Sequence, residues 1–317
     1  MLPSLLRLLG ERPASLPDQR GRVAVVTGAN RGLGRAAAHA LARAGARVVL
    51  TTRDQARGAA ALEEVRAAVP GASAELVRLD LADLASVDDT AAALAASLDR
   101  LDVLLANAGV MGLPVRHASP RGVELQMATN HLGHFALAAR LWPLLAGTPG
   151  ARVVVVTSLQ ARRGRLDPAD PGREGTYTPY GAYARSKLAN LVLAVELDRR
   201  VRAAGLDVTA VAAHPGYTDT DLHRLGPRSG ADGPMARGPA VAGRLVGQDA
   251  ALGADPLLHA ATAPGVPGGA LVVPRGPGQL WGRARVAEPF SNARDPQLGA
   301  ALWTWSEEAT GVRWLVG

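Results

Sequence analysis

A phenol and an ammonium stand four residues apart in the stretch Tyr183-Ala184-Arg185-Ser186-Lys187. The surrounding segment, residues 180–205, reads as a helix, and side chains at i and i+4 share one helical face. The two groups can therefore act on one small region of space, a proton-bearing phenol beside a fixed positive charge. Of the 35 Lys plus Arg in the chain only one is Lys, and it is Lys187. The chain has no Ile and is crowded with Ala, Arg, Gly and Pro, a bias that favours Arg wherever a cation will do. A position that stays Lys against it needs what guanidinium lacks, a compact charge with rotatable donors. Tyrosine and lysine so spaced also occur on ordinary solvated helices, so the pair needs partners elsewhere in the chain.

Those partners require a scaffold. A chain of 317 residues with 48% hydrophobic content can build one large α/β domain. It has no Cys, which excludes disulfides, thiol catalysis and cysteine-ligated metals. The lack of thiols also suits a reducing cytoplasm. No apolar run reaches the ~18 residues of a membrane span. The first 20 residues carry a short leucine cluster but no basic start and no small-residue cleavage pattern. They are expected to form an N-terminal extension, a short helix packing on the body, with residues 21–317 as one domain. The formal charge of +7 invites a nucleic-acid reading, but the arginines are dispersed among acids and aromatics are only 3%. A solvated basic surface, suited to anionic small ligands, accounts for it.

Taken in order, Val23–Val26 is a short apolar strand running into Thr27-Gly28-Ala29-Asn30-Arg31-Gly32-Leu33-Gly34 and then a helical pattern ending at Gly45. Strand, glycine turn and helix together can bring backbone N–H groups to a pyrophosphate at the helix N-terminus. The spacing is Gly-x-x-x-Gly-x-Gly. A second strand, Arg47–Thr51, should end where the adenosine ribose lies in a dinucleotide fold. An acid there would favour a free 2′-hydroxyl. Here Thr51, Thr52 and Arg53 occupy the place, Asp54 lies one step beyond, and Arg31 in the glycine loop can point to it. Two guanidiniums would favour a 2′-phosphate through charge-assisted hydrogen bonds, and hence NADP(H) over NAD(H).

The alternation continues with helix 55–68, strand 74–79 ending at Asp80-Leu81, helix 84–98, and strand 103–106 ending at Asn107-Ala108-Gly109. Asp80 is placed to accept from an adenine ring, and Asn107 to brace the neighbouring turn. Ordinary end-of-strand residues would look the same. One long helix is expected over 122–145, with Asn130 in apolar surroundings where a buried amide must find partners. His131 and His134 lie three apart with no third ligand in view; we read them as packing residues and expect no metal. Strand 152–156 ends at Thr157-Ser158, 25 residues before Tyr183 (183 − 158), across a polar loop. After the opening helix come strand 207–213, His214-Pro215-Gly216-Tyr217-Thr218, a Gly/Pro/Arg-rich stretch at 225–237, a helix near 240–250, a strand near 270–273 and a closing helix. Strands alternating with helices imply a doubly wound, mostly parallel sheet of about seven strands with helices on both faces, a Rossmann-type α/β fold.

These residues resemble the short-chain dehydrogenase/reductase family. Thr27-Gly28-x3-Gly32-x-Gly34, Asn107-Ala108-Gly109, Asn130, Ser158, Tyr183-x3-Lys187 and Pro215-Gly216 occur in the family's order over about residues 20–275. The long Ser-to-Tyr interval, the string Asn130-His131-Leu132-Gly133-His134-Phe135, His-Pro-Gly and the tail look most like its retinol dehydrogenase-like branch. Light-dependent protochlorophyllide reductases are similar in layout, but they are expected to use a cysteine, which this chain lacks. Two departures are small: Ala106 precedes Asn107 where a second Asn is frequent, and Thr157 precedes Ser158 where Ser is frequent.

The resemblance implies an oxidoreductase that moves a hydride between a nicotinamide and an alcohol or carbonyl carbon. It implies Tyr183 as general acid–base, with its pKa lowered by Lys187 and an oxidised nicotinamide. Lys187 would also hold the nicotinamide ribose, Ser158 the substrate oxygen, and Asn130 a water linking Lys187 to solvent. The cofactor would be held by Gly28, Asn30, Arg31, Gly32, Leu33, Gly34, Arg53, Asp80, Leu81, Asn107, Ala108, Gly109, Tyr183, Lys187, Pro215, Gly216 and Thr218. The substrate, an apolar alcohol, aldehyde or ketone, would sit among 159–178, 217–250 and the C-terminal segment. Homo-oligomerisation is left open. A cofactor-binding sensor without turnover is the alternative on the same fold.

Overall fold

The computed structural model describes residues 13–172, 175–218 and 248–316. The leucine cluster at the start, the Gly/Pro/Arg-rich stretch and most of the helix expected near 240–250 lie outside the described residues.

The short valine- and alanine-rich runs become strands because they can bury both of their faces. They are β1 (Val23–Thr27), β2 (Arg47–Thr52), β3 (Ala74–Arg78), β4 (Val103–Ala106), β5 (Ala151–Val156), β6 (Val208–Ala213) and β7 (Leu271–Pro274). An eighth strand, β8 (Ala284–Ala287), brings the count above the seven expected. The sheet order is β3-β2-β1-β4-β5-β6-β7-β8. All pairs are parallel except β7 with β8.

Between the strands run α1 (Gly32–Arg43), α2 (Gln55–Ala68) and α3 (Leu84–Ser97), followed after β4 by α4 (Leu125–Met127), α5 (Gly133–Arg140) and α6 (Trp142–Ala146). Then come α7 (Pro179–Ala203), α8 (Ala250–Gly253), α9 (Asp255–Thr262) and α10 (Pro296–Thr310). Alternate β1 residues serve opposite cores. Val23 and Val25 join Leu94 of α3, Phe135 of α5, Leu188 of α7 and Leu302 of α10. Ala24 and Val26 join Ala37 of α1, Leu62 of α2 and Leu257 of α9. No helix among the described residues is long and apolar enough to cross a membrane.

Three features of this scaffold place the site. The strand order reverses between β1 and β4, so a crevice opens beyond their carboxyl ends, where ligands of doubly wound sheets bind. Helix α7 starts cleanly, because Thr178 Oγ1 accepts from the Gly181 N–H and Pro179 supplies a preset φ at the first turn. Its 25 residues cross under the end of β5, where Thr157 Oγ1 donates to the Lys187 carbonyl at 2.6 Å.

The third feature corrects an expectation. Residues 122–145 do not form one helix. Helical structure starts at Leu125, and Ala128–Leu132 winds as a π turn in which the Gly133 N–H reaches back five residues to Ala128 O. The helix breaks again at Leu141, ahead of Pro143. Gly133 has a packing reason: a Cβ there would run into Leu81 O and lie 2.8 Å from Leu81 Cβ. Backbone thus meets backbone where α5 passes the end of β3.

Candidate active site

The crevice is a cleft of about 290 Å³ that runs from the glycine turn to Tyr183. At its centre the turn after β1 is held by local chemistry. Gly28 has φ +67°, and a Cβ there would sit 2.9 Å from Ala108 Cα. A Cβ on Gly34 would collide with Gly28 O and approach Asn107 Nδ2 to 2.5 Å. Only glycine lets this loop fold down on the Asn107-Ala108 turn. Asn107 braces it, as its sequence position suggested, with Nδ2 donating to Thr27 O at 2.8 Å. Helix α1 begins at the N-cap Arg31, whose side chain makes no capping bond, and its first turn carries no acid. Its leading N–H groups are therefore available to an anion.

One end of the cleft is cationic. Arg31 and Arg53 both line it, together with Thr51 and Thr52. Arg57, which sequence reading passed over, joins them from the first turn of α2. Its signal was its place four residues after Arg53 at a helix start. Asp54 is turned away from acid duty: its carboxylate caps α2 by accepting from the Arg57 N–H at 3.1 Å and pairs with Arg57 Nε at 3.2 Å. Asp80 and Leu81 lie at the cleft as expected. One Asp80 oxygen accepts from the Ala82 N–H at 3.0 Å, and the other stands 3.9 Å from Arg53 Nη1. Arg53 is 70% exposed, so that long pair holds it weakly.

At the other end Tyr183 is 6% exposed and Lys187 3% exposed. Lys187 Nζ donates to Val156 O at 3.0 Å and lies 5.8 Å from the Tyr183 ring centre. Ser158 hydrogen-bonds Tyr183, and its Oγ accepts from the Gln160 N–H at 3.3 Å. Ala108 and Gly109 form the facing wall. A Cβ on Gly109 would stand 3.0 Å from Asn130 Oδ1 and 3.6 Å from Lys187 Nζ, so glycine keeps that passage open.

The charge states differ from the sequence expectation. Burial is the leading cause for both groups. It pushes the Tyr183 phenol up to about 12, against the Ser158 hydrogen bond, and the Lys187 ammonium down to about 8. Burial outweighs the pull of the Lys187 ammonium, whose Nζ donates to the Val156 carbonyl. At neutral pH the ammonium form of Lys187 still leads by roughly tenfold.

Asn130 is buried but its amide faces no solvent path. Oδ1 accepts from the Val110 N–H at 2.8 Å, and Nδ2 donates to Val110 O and Ser186 Oγ, both at 2.9 Å. Its main-chain carbonyl, in the π turn, is met by His134 Nδ1 at 2.9 Å. His134 is therefore more than packing: its Nε2 lies 2.8 Å from Thr27 Oγ1. His131 does pack, with Nε2 2.9 Å from Ser306 Oγ and its ring stacked near Trp305.

Pro215 lines the cleft, and Gly216 and Thr218 follow it in the same turn. Gly216 has φ +71° with its N–H donating to His214 Nδ1, and Thr218 Oγ1 donates to Pro215 O at 3.1 Å. Two amides that sequence reading missed, one on the buried Gln248 and one on the half-buried Gln279, hold this turn: Gln248 Nε2 donates to Pro215 O, and Gln279 Oε1 lies 3.1 Å from His214 Nε2.

Comparison with known proteins agrees with this arrangement. Residues 22–227 match the short chain dehydrogenase family. The chain is 39% identical over 313 residues to mouse polyprenol dehydrogenase, covering 97% of this chain and 90% of that one. It is 35% identical to mouse retinol dehydrogenase 14, with 92% and 86% covered. Among solved structures, an uncharacterised protein of Mycobacterium paratuberculosis superposes with a TM-score of 0.77 at 37% identity, covering 96% of this chain and 98% of that one. A short chain dehydrogenase of Escherichia coli CFT073 in complex with NADPH superposes at 0.55 with 26% identity, covering 73% and 92%. The glycine turn over Asn107, the Tyr183–Lys187 pair beneath it and these likenesses together place the chain in the short-chain dehydrogenase/reductase family of oxidoreductases, in its retinol dehydrogenase-like branch.

Proposed function

We propose that the protein is an NADP(H)-dependent oxidoreductase acting on an apolar alcohol or carbonyl compound, with Tyr183 as its general acid–base. The observation that carries this reading is one cleft lined by three guanidiniums and by the buried Tyr183 and Lys187, with the half-buried Ser158 beside Tyr183.

The residues fit a phosphorylated dinucleotide. Gly28 and Gly34 leave room where a Cβ would block the backbone, and the uncapped start of α1 suits a pyrophosphate. Arg31, Arg53 and Arg57 would bind a 2′-phosphate, with Asp80 towards the adenine. The NADPH complex of the Escherichia coli relative supports the same choice over NAD(H). Bound nicotinamide supplies the hydride or accepts it.

The protein's own part is proton management. Reduction of a carbonyl needs Tyr183 protonated, and burial keeps it so. Ser158, hydrogen-bonded to Tyr183, would donate to the same substrate oxygen. Oxidation of an alcohol would need the phenolate at neutral pH, a differential stabilisation of roughly 7 kcal/mol from a phenol held near 12. Burial therefore readies the proton-donating form that reduction uses. Lys187 has three N–H donors and spends one on Val156 O, which leaves two for a ribose hydroxyl and a relay water. The amide of Asn130 is fully engaged, so the relay water would be held by its main-chain carbonyl.

The relatives' names, polyprenol and retinol dehydrogenase, support an apolar substrate. The test is NADPH oxidation, with NADH in parallel, across a panel of apolar aldehydes and ketones. Turnover that prefers NADPH is expected. Tight NADPH binding with no turnover of any member would point instead to a cofactor-binding sensor.

A further inference from the structure

His134 is buried, and among the described residues the charge that acts on it is the Lys187 ammonium, so at neutral pH it is uncharged, held down to about 4 chiefly by desolvation. A neutral imidazole carries one N–H and one bare nitrogen. Its two partners decide which is which. The Asn130 carbonyl can only accept, so Nδ1 bears the proton. Nε2 is then an acceptor, and the group 2.8 Å from it is the Thr27 hydroxyl, which must donate. That assignment completes Thr27. Its oxygen has two lone pairs, and the N–H groups of Asn107 and Ala108 each reach it at 2.9 Å. The competing acceptor for the Thr27 proton, Leu105 O, is farther away at 3.3 Å. The chain from the Asn107-Ala108 turn to the Asn130 carbonyl is thus continuous, with the Asn107 N–H shared between Thr27 Oγ1 and Leu105 O, each at 2.9 Å.

We propose that His134 is a positioning residue: as the Nδ1–H tautomer it clamps the Asn130 carbonyl to the Thr27 hydroxyl beneath the glycine turn. This rests on the reading above in which that carbonyl holds the relay water. A carbonyl has two lone pairs. With one taken by His134, the other is left for the relay water. The carbonyl sits in the π turn, Ala128–Leu132, where the regular i→i−4 pattern is interrupted.

Two measurements test it. The first needs no turnover: ¹⁵N NMR of the histidine rings in the isolated protein, with His134→Gln used to assign the signal. A protonated Nδ1 and a bare Nε2 at neutral pH are expected; a protonated Nε2 overturns the clamp. The second compares His134→Asn with His134→Gln. The Asn amide reaches the place of Nδ1 and can still donate to Asn130 O, whereas the Gln amide reaches the place of Nε2 and serves only Thr27. His134→Asn should keep kcat near wild type. His134→Gln should lose about tenfold or more, the scale of an impaired proton transfer, with a displaced limb in its pH profile and little change in the KM for NADPH. Equal kcat values in the two variants, or losses that follow melting temperature alone, overturn the proposal. Tyr183→Phe run alongside separates the two readings: if it retains full turnover, the acid–base assignment fails, whatever His134 does.

Discussion

Replacing Lys187 by Met should stabilise the fold while abolishing turnover. Burial lowers the ammonium from its ordinary 10.5 to about 8, so at neutral pH the folded protein holds a charge it would bind less tightly than the unfolded chain does. A shift of this size corresponds to roughly 3 kcal/mol of destabilisation. Met removes that penalty and fills the same channel with an apolar chain of similar length. The variant loses the Nζ–Val156 bond, a net contribution of about 1 kcal/mol. The Val156 carbonyl is not orphaned, because Asn190 Nδ2 also donates to it at 3.0 Å. The balance is a gain of about 2 kcal/mol at pH 7, or about 3 °C in Tm for a chain of this size. The sign of the pH dependence follows from the depressed pKa. Between about 8 and 10.5 the unfolded state binds more protons than the folded one, so wild type gains stability as pH rises through that window. The advantage of Lys187→Met should therefore be largest at neutral pH and mostly gone by about pH 10. Urea or thermal melts of the two proteins at both pH values check it. A variant less stable than wild type at neutral pH, or an advantage that does not shrink, would refute the reasoning.

Other outcomes follow from the cleft. Arg53→Asp should weaken NADPH binding by about tenfold or more and NADH binding far less, the loss expected for one charge-assisted phosphate contact; paired titrations by cofactor fluorescence read the two constants. Gly34→Ala should remove measurable binding of either cofactor, since its Cβ meets Gly28 O and Asn107 Nδ2, while α1 itself tolerates Ala. Lys187→Arg should fold but turn over poorly, because a planar fork cannot serve Val156 O and two further acceptors from one point; steady-state kinetics beside a cofactor titration show whether kcat or binding suffers.

What could be read from the sequence is what the backbone constrains. Gly28, Gly32 and Gly34 are visible because only glycine fits a left-handed turn pressed on Asn107 and Ala108. The strands are visible because runs such as Val23–Val26 must be apolar on both faces, and Tyr183 with Lys187 because helical spacing is fixed. What stayed hidden lacks a local signature. The π turn, Ala128–Leu132, is buried at four of its five residues and so carries no period to break; the later break at Leu141 had Pro143 as its local signal. Strand β8 is four residues long and half exposed, too short for alternation to show. His134 meets Thr27 across 107 residues, and no spacing within Asn130–Phe135 reveals what its ring will touch. Asn130 was expected to need partners for a buried amide, but no local spacing shows that these are Val110 and Ser186. The phenol's pKa was expected to fall under Lys187 and a bound oxidised nicotinamide together. Burial pushes it the other way, and desolvation depends on depth in the fold and not on spacing.

The central claim is that Tyr183 passes the proton while other groups hold the cofactor. The direct measurement is single-turnover NADPH oxidation by Tyr183→Phe with a carbonyl substrate that wild type reduces, beside a titration of NADPH binding. The account predicts loss of the hydride-transfer step by at least about a hundredfold, the range of general acid catalysis, with the NADPH dissociation constant nearly unchanged. Turnover retained in the phenylalanine variant would contradict it.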